Sequence, residues 1–84
     1  MARRGGGTQW KGYTPRQAGE RYVVLKQLLD SKVLTEDEEK MAGDLLGKLS
    51  RASRSNEEEV TIIVSEESDQ FLDRLEEAMW EMKH

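Results

Sequence analysis

The chain has no cysteine and only one proline, one phenylalanine and one histidine among its 84 residues. Without cysteine, neither a disulfide nor a thiolate metal site can hold the fold, and no thiol nucleophile exists. The lone histidine is His84, the last residue, and a fraying end is a poor place for a fixed general base. The run "RRGGGT" has neither the spacing nor the following lysine of a phosphate-binding loop. The acidic runs lack the glycine and alternating ligands of a calcium loop. No apolar run approaches the length of a membrane span, and "MARRGGGTQW" has no hydrophobic core of a secretory signal. These absences predict a soluble, cytoplasmic, non-enzymatic protein with no cofactor and no metal.

What the chain has is charge, unevenly divided. The formal net charge is −4, yet residues 1–26 carry Arg3, Arg4, Lys11, Arg16, Arg21 and Lys26 against Glu20 alone, a net of +5 that leaves −9 for the remainder. A polymer so two-ended either uses its basic end on nucleic acid or folds the two ends onto each other. At this length the chain forms one domain at most, near the size at which a single core is barely sufficient.

Helix signals are strong. Thr14, Pro15 and Gln17 supply a capping hydroxyl, a first-turn proline and a reciprocal partner, predicting a helix over 15–30. Ala18, Tyr22, Leu25 and Leu29 form its stripe, widened by Val24 and Leu28. Thr35 with Glu38 repeats the box and predicts a second helix from Glu36 to about Ser50, burying Met41, Ala42, Leu45, Leu46 and Leu49. So short a link between them predicts an antiparallel hairpin. Gly43 and Gly47 share the opposite face, where a close helix contact or mere tolerance are the two readings. "SRASRSN" reads as a loop.

"VTIIV", residues 60–64, is β-branched throughout and predicts the chain's one clear strand, with Val60, Ile62 and Val64 on one side and Thr61 and Ile63 on the other. Ser65 or Ser68 can cap a last helix reaching about Met82, whose stripe is Phe71, Leu72, Leu75, Ala78, Met79 and Met82. A single helix over 60–82 also fits the spacing of its apolar residues, but the β-branched cluster opposes it. The expected fold is therefore small α+β, mostly α: a helical hairpin, one short strand and a C-terminal helix. Residues 1–13 form a basic segment, flexible or partly extended, and 14–84 form the domain.

A lone strand needs a partner for its backbone. Twofold self-pairing about Ile62 would make a dimer through Val60, Ile62 and Val64, but it sets Glu58 opposite Glu66 and Glu57 opposite Glu67. Pairing with "TQWKGY", residues 8–13, either within the chain or swapped between copies, sets basic flanks against acidic ones, and charge favours it. The third possibility leaves the edge for a different protein.

Two interaction sites suggest themselves. Trp80 lies about 180° round the last helix from Phe71, beside Asp73, Glu76 and Glu77, and either docks these on a basic protein surface or packs against the first helix, the N-terminal segment or a second subunit. Arg3, Arg4, Trp10, Lys11, Tyr13 and Arg16 could instead grip phosphates and stack bases. The leading expectation is a small regulatory or inhibitory protein-binding module, dimeric, with an acidic surface able to imitate nucleic acid. The alternatives are a nucleic-acid-binding regulator of antitoxin-like design, acting through the basic aromatic arm, and a structural assembly subunit.

Overall fold

The computed structural model describes residues 8–83, with side chains described as far as Glu81. The elements are β1 (Thr8–Tyr13), α1 (Pro15–Asp30), α2 (Glu36–Ser53), β2 (Val60–Ser65) and α3 (Glu66–Lys83). The protein is small and mostly helical, with one two-stranded antiparallel sheet. Arg3, Arg4, His84 and the side chain of Met82 lie outside the described residues.

Both helix starts are set by local hydrogen bonding. Thr14 and Thr35 accept from the backbone N–H of Gln17 and Glu38, and those two side chains accept from the threonine N–H in return. Each box satisfies two donors that a helix start otherwise leaves open. The Thr35 N–H, at 2.9 Å from Glu38 Oε1, is the main reason the Glu38 carboxyl sits below its ordinary value of 4.5. Arg74 on α3 adds an ion pair to the same carboxylate at 3.2 Å. Between the helices, Lys32 takes a left-handed φ of 58°, the conformation that commonly ends a helix and that glycine adopts at least cost.

α2 runs to Ser53, past the expected end near Ser50. Ala52 explains the extension, because it continues the stripe of Leu45 and Leu49 into the core and is the best helix former. Segment 60–65 is a strand, so the single helix over 60–82 does not form. Ser65 closes β2 and caps α3, accepting the Ser68 N–H at 3.1 Å.

The core unites all five elements: Tyr13 of β1, Ala18 and Leu25 of α1, Ala42, Leu45, Leu49 and Ala52 of α2, Ile62 and Val64 of β2, and Phe71, Leu72 and Leu75 of α3. Ala78, expected in the last stripe, is exposed, and Met79 is half-buried. Gly43 and Gly47 face open space, with nothing within 4 Å of where a side chain would begin. No helix partner lies against that face among the described residues.

Candidate functional site

β2 pairs with β1 of the same chain, with Thr8 opposite Ser65, Lys11 opposite Ile62 and Tyr13 opposite Val60. Successive side chains of a strand point to opposite faces. Gln9, Lys11 and Tyr13 therefore share the inner face with Val60, Ile62 and Val64. Thr8, Trp10 and Gly12 share the outer face with Thr61, Ile63 and Ser65. Trp10 is 69 % exposed and its neighbour Ile63 is exposed as well.

A lysine on an inner face needs compensation. Lys11 finds it on α3, where Asp69 and Asp73 lie one turn apart, at 2.9 and 3.0 Å from Nζ. The Asp69 bond, opposed by burial and helped by Asp73, holds the Lys11 ammonium above its ordinary range. One turn further along α3, the Tyr13 hydroxyl donates to Glu76 Oε2 at 2.9 Å, and the Arg21 guanidinium of α1 lies 5.2 Å from the Tyr13 ring centre. Arg21 Nη2 also approaches Glu76 Oε1 at 3.5 Å. Burial first, and the bond to the Glu76 carboxylate second, push the Tyr13 phenol up. Arg21 Nε is buried without a hydrogen-bond partner among the described residues, which ordinarily costs about 1–3 kcal/mol.

Lys11, Tyr13 and Arg21 thus meet Asp69, Asp73 and Glu76 of α3 inside one chain. Of the basic aromatic set, Lys11 and Tyr13 are committed to α3, whereas Trp10 and Arg16 remain exposed. Of the acidic set, Asp73 and Glu76 are committed to β1, and Glu77 has no ion-pair partner among the described residues.

These raised values give a pH dependence. An unfolded tyrosine and lysine lose their protons near 10.0 and 10.5, whereas the folded Tyr13 and Lys11 retain theirs to higher pH. The contribution is complete below about pH 10 and is lost as pH rises through the raised folded values. Urea unfolding at fixed pH steps should show a midpoint that declines above about pH 10, and Tyr13→Phe combined with Lys11→Met should flatten that decline.

β1 follows the acidic face of α3 as far as Glu76 and then turns away into Thr14 and α1. The last turns of α3 are left beside α1, with an open groove of about 440 Å³ between them, lined by Gln17, Glu20, Arg21, Glu76, Glu77, Met79 and Trp80. Three carboxylates face one guanidinium there, and Trp80, 62 % exposed, forms one wall. Glu20 holds Arg21 and Arg16 only loosely, at 3.7 and 3.9 Å. Gln17, Glu20, Arg21 and Met79 were not legible as members of a site, because their meeting with Trp80 depends on how α1 and α3 lie together. Among the described residues, no group of three or more His, Cys, Asp or Glu is arranged to hold a metal ion, and no helix is long and apolar enough to cross a membrane. Comparison with protein-family models, with curated proteins and with solved structures found no match.

Proposed function

We propose that this chain is a non-catalytic protein-binding module that receives a basic side chain of its partner in the groove between α1 and α3. The observation that carries this reading is the exposed Trp80 beside a groove in which carboxylates outnumber cations. An indole face attracts a guanidinium or ammonium group, and Glu77 and Glu20 supply opposite charge around it. Tryptophan also suits an interface anchor, since it offers large contact area and loses little side-chain freedom. A regulatory or inhibitory role follows if the basic surface so covered is one its owner needs.

The nucleic-acid reading draws less support, because Lys11 is neutralised by two aspartates and Tyr13 is 4 % exposed. Among the described members of that arm this leaves Trp10 and Arg16, which offer little phosphate attraction.

The test uses a Trp10→Phe background, so that fluorescence reports Trp80. Titration with an amidated hexapeptide of alternating arginine and glycine should change Trp80 emission, with an affinity that falls as salt is added. Glu20→Gln with Glu77→Gln should weaken binding about tenfold, as expected for two partly screened pairs. No emission change, or a change indifferent to both salt and the two glutamines, contradicts the reading.

A further inference from the structure

We propose that the outer edge of β2 is a second docking site, which receives as a third strand an extended peptide segment with a carboxylate at its centre. The sheet has two strands only among the described residues, so β2 is laddered along one edge. The Ile63 carbonyl accepts its hydrogen bond from Lys48 Nζ of α2, at 2.7 Å. Alternate residues of an antiparallel strand present their N–H and C=O to the same side. With Ile63 turned to α2 and away from β1, Thr61 shares that edge, and the two residues offer a short template for an added strand.

Beside this edge runs an open groove of about 580 Å³. Ala52, Val60, Ile62 and Ile63 give it an apolar lining, and Lys48 and Arg51 give it a basic rim. Lys48 is balanced by Asp44 at 3.0 Å. Arg51 has no carboxylate partner among the described residues, and its Nε is turned back on the Gly47 carbonyl of its own helix at 3.4 Å. Both ends of β2 are acidic, with Glu57 to Glu59 before it and Glu66 and Glu67 after it.

The charge pattern along the edge selects the occupant. A second copy of β2, paired antiparallel about Ile62 or Ile63, would lay the Glu57–Glu59 run of one chain beside Glu66 and Glu67 of the other, like against like. A segment with alternating apolar side chains, a central Asp or Glu and neutral or basic ends meets opposite charge along its whole length. On docking, its backbone N–H takes the Ile63 carbonyl, and the displaced Lys48 ammonium turns with Arg51 to the carboxylate. Until then Lys48 shields the edge, a common protection against unwanted pairing.

The experiment selects a display library of random twelve-residue peptides on the immobilised full chain, then titrates a synthesised winner into the ¹⁵N-labelled protein. Enriched sequences should alternate apolar residues around a central Asp or Glu, and the titration should shift the amides of Thr61 and Ile63. Arg51→Glu should weaken binding at least tenfold, Val33→Ser on the remote helical turn should leave it unchanged, and replacing the central carboxylate with lysine should restore binding to the Arg51→Glu chain. The proposal is overturned by failure to enrich any sequence, or by winners whose shifts centre on the Trp80 indole instead of Thr61 and Ile63. Sedimentation showing that the chain pairs with itself through this edge also overturns it. Because the two sites use different side chains and different reporters, failure here leaves the α1–α3 groove to stand or fall by its own titration.

Discussion

Tyr13→Ala is expected to lower the free energy of unfolding by about 3–5 kcal/mol, the usual cost of removing a buried aromatic side chain. The ring is in the core, its hydroxyl holds Glu76, and its face carries the Arg21 guanidinium. Truncation would leave a cavity at the end of β1 and strip Glu76 and Arg21 of a shared partner in one step. For a domain of this size, whose whole stability lies within about 5–15 kcal/mol, such a loss is a large fraction. Tyr13→Phe separates the two contributions, since it keeps the ring and removes only the hydroxyl, at about 1–1.5 kcal/mol. Urea unfolding followed by far-ultraviolet circular dichroism reads both. A Tyr13→Ala loss below about 1 kcal/mol would mean that β1 is not docked on α3.

Leu45→Ala should cost about 2–5 kcal/mol. Leu45 is fully buried in α2 and belongs to the same cluster as Leu25 and Leu49, at the centre of the helical hairpin. The spread in that figure reflects how far neighbours can close over the lost methyls. Val33→Ala, at an exposed position in the turn, should move stability by no more than about 0.5 kcal/mol. Thermal unfolding of the pair measures the contrast directly, and equal effects would place Leu45 outside the core.

Much of this architecture is legible in the sequence because it is local. The capping boxes at Thr14 and Thr35 need only four consecutive residues each. The stripes of α1 and α2 need only helical spacing. The β-branched run 60–64 declares a strand without reference to the rest of the chain. Charge favoured residues 8–13 as its partner, and the intrachain pairing is what the structure shows, although Lys11 pairs with Asp69 and Asp73 of α3 and, among the described residues, no ion pair reaches the acidic runs at the ends of β2.

The division of labour within residues 8–13 was harder to read. Size and apolarity suggest that Trp10 should face inward and Lys11 outward, yet the reverse holds. Tyr13 is the reason, because an alternating strand that buries Tyr13 must also turn Lys11 inward. Asp69 and Asp73 make that arrangement tolerable by pairing the ammonium at the ribbon's underside. Grouping Trp10, Lys11 and Tyr13 as one arm overlooked this alternation, which was available in the sequence. The contributions of Gln17, Glu20 and Arg21 to the groove at Trp80, and of Lys48 and Arg51 to the groove at β2, were not available. Each depends on where one helix lies against a distant element, and no local pattern encodes that placement.

The docking of the basic N-terminal strand on the acidic face of α3, within a single chain, underlies both proposed surfaces. Nuclear Overhauser contacts in an equimolar mixture of isotope-labelled and unlabelled chains measure it most directly. The account predicts contacts between Trp10 and Ile63 and between Gly12 and Thr61 that arise wholly within labelled molecules. Contacts seen only between labelled and unlabelled chains, or amides of Thr8 to Tyr13 that exchange at the rate of a free peptide, would contradict it.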